Sequence, residues 1–384
     1  MVAIKRVLVT GAAGFIGRNL AGALAALDDV EILRFDGENT GAELQEMAKA
    51  ADFIFHLAGV DCSQDVEEYD AGNRRLTEEL VAYLREAGRK TPFLLSSSTE
   101  AELDHPYGRS KRGAEAAVLG YGGDTGASVF IYRLPSVFGK WCLPNDKRPV
   151  ATFCHNIAND LPITIRDPGA TLNLVHVDDV VDEFMGQLEG RFGPELPVAE
   201  LISQKRWTPY SVYPVYPLKL GQVADLLYYF KAGRQTLAIP NVGDEFTRKL
   251  YCTYLSHLPE NRFTYPLQVK AGAGGFFAEF IKTPERGQVS VHVLKPGTTT
   301  GNHWHQSRCE KLLLVSGRGV VRLRKVHGDE VLACFVSGDN PEVVDIPSGF
   351  AHHIQNLGNT ELVIVLWANK PFDPGKPGTS FLEV

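Results

Sequence analysis

The feature that most constrains this chain is a glycine-spaced turn near its start. Thr10-Gly11-Ala12-Ala13-Gly14-Phe15-Ile16-Gly17 has the spacing G-x-x-G-x-x-G and joins a β-type run, Arg6–Val9, to a helical pattern, Ile16–Ala26. Glycines so placed permit a tight turn, close backbone approach to a pyrophosphate and close helix–strand packing, and the helix N-terminus then faces the anion. Downstream, Val30–Phe35, Phe53–Leu57 and Pro92–Ser96 read as strands, alternating with helical patterns over Ala42–Ala50 and Leu76–Glu86. That alternation predicts an α/β fold: a doubly wound parallel sheet with helices on both faces. The first residues loosely mimic a secretory leader, but the glycines and Arg18-Asn19 interrupt the apolar run.

From about residue 266 the texture changes. Gln288–Leu294, Lys311–Val315, Val320–Lys325, Leu332–Val336, Glu342–Ile346 and Glu361–Trp367 are short β-type runs separated by Gly, Pro and Asn, the pattern of an antiparallel sandwich or barrel. A length of 384 residues exceeds one ordinary core. Two domains are therefore expected, 1–248 and 266–384, joined by a linker over 249–265 in which Pro259 precedes a polar stretch. A net charge of −7 without long basic runs argues against nucleic-acid or membrane-surface partners. No apolar stretch is long enough to span a bilayer. Six cysteines without a C-x-x-C pair read as reduced thiols of a cytoplasmic protein.

Three further groups carry chemistry in the first domain. The second strand ends Leu33-Arg34-Phe35-Asp36: Asp36 suits a ribose hydroxyl and NADH, whereas Arg34 suits a 2′-phosphate and NADPH. Ser96-Ser97-Ser98 ends a strand, and Tyr107-Gly108-Arg109-Ser110-Lys111 begins a helix, which puts Tyr107 and Lys111 on one helical face. A lysine ammonium there is expected to favour tyrosinate. The phenol can then protonate a carbonyl oxygen that a serine hydroxyl holds.

These residues resemble the extended short-chain dehydrogenase/reductase family, in its branch of nucleotide-sugar epimerases and dehydratases. His56-Leu57-Ala58-Gly59, Asn73 followed by Thr77, Tyr132-Arg133-Leu134-Pro135 and Val175-His176-Val177-Asp178-Asp179 agree. The resemblance implies a Rossmann-type fold with Ser98, Tyr107 and Lys111 catalytic. It also implies a cofactor held by Gly11, Gly14, Phe15, Ile16, Gly17, Arg34, Asp36, Leu57, Ala58, Asn73, Tyr107 and Lys111, with NADPH favoured and NADH the alternative. Many relatives carry an arginine before the His-Val-Asp-Asp segment to meet a phosphate, where Thr171-Leu172-Asn173 stands here. Arg133, Lys140 and Arg166 are the candidate replacements.

In the β-rich part, His303-Trp304-His305 and Glu310 are followed by Pro347-Ser348-Gly349-Phe350-Ala351-His352. Two histidines one residue apart share a strand face. With Glu310 and His352 they make an N/O donor set suited to zinc or another divalent metal. His353 would point the other way, and Cys309 reads as a small buried thiol. The pattern resembles the cupin superfamily, which implies an all-β double-sheet (jelly-roll) barrel around the metal. Related sugar-epimerising cupins often carry Arg-Gly near the first barrel strand, where Gly274-Gly275 stands here, so a phosphate contact is missing or supplied elsewhere.

The two domains in this order resemble the CapF-type family of capsular-polysaccharide enzymes, through runs such as Phe138-Gly139-Lys140-Trp141-Cys142 and Gly301-Asn302-His303-Trp304-His305. The resemblance implies a homodimer acting on a UDP-linked 2-acetamido-2,6-dideoxy-4-hexulose. The cupin inverts C3 and the reductase domain reduces the C4 ketone with NADPH, giving UDP-2-acetamido-2,6-dideoxy-L-talose. The C3 base is open, with His292, Lys282 and Glu279 as candidates. Two rivals stand beside this: a reductase whose cupin is only structural, and a cofactor sensor, which has no need of Ser98, Tyr107 and Lys111.

Overall fold

The computed structural model describes residues 4–144, 148–192, 198–204, 207–371, 375 and 378–384. Contacts divide the chain into two units, one holding residues up to Asp225 with Cys252–His257, the other holding Leu226–Tyr251 with Leu258–Val384. The stretch 249–265, expected as a linker, contains the end of helix Glu245–Ser256 and a 3-10 turn, Glu260–Arg262.

In the first unit β1 (Lys5–Thr10), β2 (Val30–Phe35), β3 (Phe53–His56), β4 (Phe93–Ser98) and β5 (Val129–Leu134) form a parallel sheet in the order β2-β1-β3-β4-β5. β1, β3, β4 and β5 bury side chains on both faces, whereas the edge strand β2 fully buries only Phe35. Val7, Val9, Phe53, Phe55, Leu94, Phe130 and Tyr132 enter one core; Leu8, Ile54, Phe93, Leu95, Val129 and Ile131 enter the other. This period of two, with no polar face, is what helices on both sides require.

The helices of this unit are α1 (Phe15–Leu24), α2 (Gly41–Ala50), α3 (Val66–Tyr69), α4 (Leu76–Glu86), α5 (Pro106–Thr125), α6 (Pro149–Ala158) and α7 (Val177–Glu189). Leu20 and Leu24 of α1 join Val180, Val181 and Phe184 of α7 in the first core. Leu44 of α2, Leu80 and Leu84 of α4, and Val118 and Tyr121 of α5 fill the second. The expected doubly wound architecture is present. α2 starts where it does because Thr40 and Glu43 form a capping box, with the Thr40 amide donating to Glu43 Oε2 at 2.6 Å and the Glu43 amide to Thr40 Oγ1 at 3.3 Å. Because the strand order reverses between β1 and β3, a crevice opens at their C-terminal ends, which is where ligands bind in such sheets. A smaller sheet of β6 (Ser136–Phe138), β7 (Thr171–His176) and β8 (Tyr216–Lys219) completes the unit.

In the second unit, β9 (Val269–Gly272), β10 (Gly275–Thr283), β11 (Gly287–Leu294), β12 (Thr299–His305), β13 (Glu310–Ser316), β14 (Arg318–Lys325), β15 (Val331–Ser337), β16 (Val343–Ile346), β17 (Phe350–Asn356), β18 (Leu362–Ala368) and β19 (Thr379–Phe381) follow one another. They form two antiparallel sheets, β16-β13-β18-β11-β10-β9 and β15-β14-β17-β12-β19. Leu312, Leu314, Leu362 and Ile364 of the first sheet share one core with Val321, Leu323, Val336 and Ile354 of the second, so the unit is the expected cupin-like double-sheet fold.

A buried ion pair braces the parallel sheet. Glu115 of α5 accepts from Arg133 Nη2 at 2.7 Å and from the Ser97 hydroxyl, and its side chain is almost fully buried. Its removal leaves Ser97 without its acceptor and Arg133 with only the exposed Glu102 at 3.2 Å, so Glu115→Ala should destabilise the protein by about 1–3 kcal/mol. A denaturant melt checks this, and a loss below about 1 kcal/mol would show that Arg133 finds water.

Candidate active site and metal centre

The glycine turn lies at the C-terminal end of β1. Gly11 has a positive φ of 70°, its amide donates to the Phe35 carbonyl at 2.7 Å, and a Cβ there would stand 2.8 Å from the Ala58 nitrogen. A Cβ on Gly17 would stand 2.8 Å from the Ala12 Cα, so α1 packs on the turn as closely as only glycine allows. Gly14 caps α1 without a side-chain hydrogen bond, leaving the first helical amides for a ligand. This backbone cradle, which any side chain would fill, fits a dinucleotide pyrophosphate.

The structure brings most of the expected residues to one cleft of about 290 Å³. Gly11, Gly14, Phe15, Ile16, Gly17 and Leu57 line one end of it, and Ser98, Tyr107 and Lys111 the other. Ala58 and Asn73 stand behind its wall. Asn73 Oδ1 accepts from the Val60 amide at 3.0 Å, and its Nδ2 donates to the Val60 carbonyl at 2.9 Å and to Ser110 Oγ at 3.0 Å. It therefore ties the turn after β3 to α5 from within a π-helical turn, Asp70–Arg75. Asp36 and Arg34 stand at the end of β2, outside the cleft lining. Asp36 Oδ1 accepts the Ala13 amide at 2.8 Å, and Arg34 is exposed.

Electrostatics at the far end differ from the expectation in one respect. Tyr107 is pushed up to about 12, because burial outweighs the hydrogen bond from Ser98, while Asp61 and Glu100 add to the rise. The phenol is thus held as an acid and not as tyrosinate. Lys111 is fully buried and its ammonium is brought down to about 8 by that burial, against the opposing pull of Asp61 and Glu115. Nζ donates to the Ser96 carbonyl at 3.2 Å and lies 5.9 Å from the centre of the Tyr107 ring.

Spacing did not reveal Arg148. It lines the cleft at the start of α6 and pairs with Asp61 at 2.6 Å. Of the three candidate phosphate contacts, Arg133 is committed to Glu115, Lys140 pairs with Asp178 at 2.6 Å, and Arg166 is exposed outside the cleft. Pro149 at the first turn of α6 was the one local sign that a helix began here.

In the second unit His303, His305 and His352 offer ring nitrogens within 4.8 Å of one another. Glu310 joins them, 3.4 Å from His305 Nε2 and 3.5 Å from His352 Nε2. Burial would push its carboxyl up, but His305, Arg308 and His352 outweigh this and bring it to about 2. His352 Nδ1 is buried without a hydrogen-bond partner, His305 Nε2 meets only the Glu310 carboxylate at a long 3.4 Å, and His305 Nδ1 lies 2.9 Å from Thr379 Oγ1. Three imidazoles gathered beside a carboxylate, one ring oriented from behind by a hydroxyl, fit a divalent metal. Cys309 stands outside this cluster. His353 faces away, as expected, toward Arg322 and Asn302.

The metal-site cavity, also about 290 Å³, is lined by Glu279 and His292 but not by Lys282, which pairs with Glu279 at 2.8 Å. Lys270 and Arg308, which sequence reasoning missed, line it too. Lys270 lies opposite Phe277 on the adjoining strand, so a cation reaches this cavity although Gly274 supplies none. Purified protein should carry about one divalent metal per chain, and His305→Ala should lose most of it while Cys309→Ser keeps it. Elemental analysis decides; full occupancy in His305→Ala would remove His305 from the ligand set.

Comparison with known proteins gives this geometry a family. Residues 7–190 match the NAD dependent epimerase/dehydratase family, and residues 270–380 match the polysaccharide biosynthesis C-terminal domain. Over 374 residues the chain is 40% identical to the UDP-2-acetamido-2,6-beta-L-arabino-hexul-4-ose reductase of Pseudomonas aeruginosa, covering 97% of each chain. The crystal structure of capsular polysaccharide assembling protein CapF from Staphylococcus aureus superposes with a TM-score of 0.89 at 43% identity, over 98% of this chain and 100% of that one. UDP-glucuronic acid 4-epimerase from Bacillus cereus, in complex with NAD, is 17% identical with a TM-score of 0.54 over 66% of this chain and 96% of its own, which shows a shared fold. The chain belongs to the CapF family of capsular-polysaccharide biosynthesis enzymes, in which an epimerase/reductase domain precedes a polysaccharide biosynthesis C-terminal domain.

Proposed function

We propose that this protein is a cytoplasmic, bifunctional nucleotide-sugar enzyme. Its 266–384 domain inverts C3 of a UDP-2-acetamido-2,6-dideoxy-4-hexulose. Its 1–248 domain then reduces the C4 ketone with NADPH to UDP-2-acetamido-2,6-dideoxy-L-talose. The observation that carries the reading is the presence of two chemically unlike cavities. One sets a phenol, a hydroxyl and a buried ammonium opposite a glycine turn; the other gathers three imidazoles and a carboxylate. The 40% identical Pseudomonas relative, whose name is that of a hexul-4-ose reductase, supports the substrate class.

In the reductase domain the amides of the glycine turn and of α1 would hold the pyrophosphate. Arg34, exposed at the end of β2, would meet the 2′-phosphate, while Asp36 is engaged by the Ala13 amide. A bound nicotinamide supplies the hydride. Ser98 and Tyr107 hold the ketone oxygen, and Tyr107 gives it a proton. Burial keeps that proton on the phenol until then, and the Lys111 charge stabilises the tyrosinate left behind. Arg133 is withdrawn from substrate by its buried pair, leaving Arg148 beside the cleft.

In the second domain His303, His305, Glu310 and His352 would hold zinc or another divalent cation, which supplies Lewis acidity to the carbonyl next to C3. Glu279 and His292 stand in the same cavity within reach of a bound sugar. Burial brings the His292 imidazole down to about 4, so it is neutral at working pH but a weaker base than a free imidazole. Lys270 and Arg308 offer positive charge to the diphosphate.

Tyr107→Phe should lower NADPH oxidation with the 4-keto sugar by roughly 10²–10⁴-fold, while NADPH affinity and solvent-deuterium exchange at C3 persist. Loss of exchange together with reduction would sink the two-site reading. A pH profile tests Lys111 separately. It is cationic below about pH 8 and neutral above, and the cation favours proton transfer from Tyr107, so kcat/KM for reduction should fall as pH rises through about 8. A rate that stays level well into the alkaline range would contradict this role.

A further inference from the structure

Between β4 and α5 the chain doubles back through residues 99–105, and a histidine closes the turn. His105 is the N-cap of α5, in extended conformation with φ −133° and ψ 168°, a position usually taken by the short oxygen side chains of Ser, Thr, Asp or Asn. Its Nδ1 accepts a hydrogen bond from the Gly108 amide at 3.1 Å. An amide can only donate, so Nδ1 bears no proton and the neutral ring carries its hydrogen on Nε2. Nε2 lies 3.3 Å from Glu100 Oε2, an acceptor. The Glu100 amide in turn donates to Ser98 Oγ at 3.1 Å. The His105 ring is also within 7° of parallel to the Tyr107 ring, with centroids 6.3 Å apart. Gly108 lets the turn close, since a Cβ there would collide with the Glu100 and Leu103 carbonyl oxygens. A connected path thus runs from one catalytic hydroxyl to the other, and His105 is its middle link.

We propose that His105 is a positioning residue for ketone reduction, setting the Tyr107 phenol against Ser98 by capping α5 and anchoring on Glu100. The proposal rests on the reductase reading. His105 is absent from the cleft lining, so it acts through Tyr107 and not on substrate. Serine or aspartate would cap the helix but could not also span to Glu100 and pack on Tyr107, which accounts for an imidazole at this position.

The test compares wild type, His105→Ala and His105→Asn as full-length proteins. NADPH oxidation with a UDP-4-keto-hexose is followed at neutral pH to separate kcat from KM, alongside amide hydrogen exchange at residues 107–109. His105→Ala should lower kcat roughly tenfold with KM and NADPH affinity within about twofold of wild type, and should speed exchange at Gly108. His105→Asn, whose side-chain oxygen restores the cap but does not reach Glu100 or the Tyr107 ring, should recover slow exchange at Gly108 and only part of kcat. Wild-type kcat and exchange in His105→Ala would overturn the proposal, as would wild-type kcat in His105→Asn or an equal loss of kcat and NADPH affinity. If wild type reduces no keto sugar, the reductase reading fails, and hydrogen exchange still decides whether His105 holds the α5 start. Should His105→Ala not fold, the kcat and exchange of His105→Asn decide.

Discussion

The first unit depends on a buried ammonium. Lys111 sits under Tyr107 with Nζ on the Ser96 carbonyl, and its burial brings it near its own titration point. Such a charge costs several kcal/mol to desolvate and persists only where the surroundings oppose that cost. Here Asp61 and Glu115 supply opposing negative charge, from the turn after β3 and from α5. Each is itself tied down, Asp61 by Arg148 and Glu115 by Arg133 and Ser97. His56, wedged between Thr10 and Thr77 at the end of β3, is pushed down to about 3 by its own burial and by the Lys111 charge, so it stays neutral. Asp61, Glu115 and the Ser96 carbonyl at the end of β4 together oppose the cost of burying the Lys111 charge. Holding that charge beside Tyr107 is also what a proton-donating phenol requires.

The second unit meets the converse problem. Its two sheets enclose an aliphatic core on one side of the interior and a polar cluster on the other. Rings at 4.6–4.9 Å between His303 and its two neighbours leave His352 Nδ1 buried without a hydrogen-bond partner and His305 Nε2 with only a long contact to Glu310. A fold does not retain such groups for stability, since each costs 1–3 kcal/mol when unsatisfied. They make physical sense as ligands, and Thr379, reaching in from the edge strand β19, orients one of them.

How much of this was legible in the sequence follows from how local each constraint is. The glycine turn, the Tyr107/Lys111 pair and the His303/His305 pair each live within one turn or one strand, so spacing alone disclosed them. The apolar strands of both units were legible because their side chains alternate or run continuously. Arg148, Lys270 and Arg308 were not, because a cation's value depends on which remote element it meets, and nothing local distinguishes it from a solvated surface charge. The direction of the Tyr107 shift was misjudged for the same reason. Spacing does not report burial, which pushes the phenol up harder than the Ser98 hydrogen bond pulls it down. Helix Leu220–Thr236, with polar and apolar residues mixed around its circumference, gave no clear period.

The central claim is that two sites in one chain perform two consecutive steps on one sugar. NMR of the product made by the wild-type enzyme from the UDP-4-keto-hexose and NADPH in deuterated water tests it most directly. The account predicts a reduced C4, an inverted C3 and deuterium at C3, since the proton taken there is replaced from solvent. A reduced product that keeps the substrate's C3 configuration and its original hydrogen would contradict it, and would leave the metal cluster a structural feature beside a simple reductase.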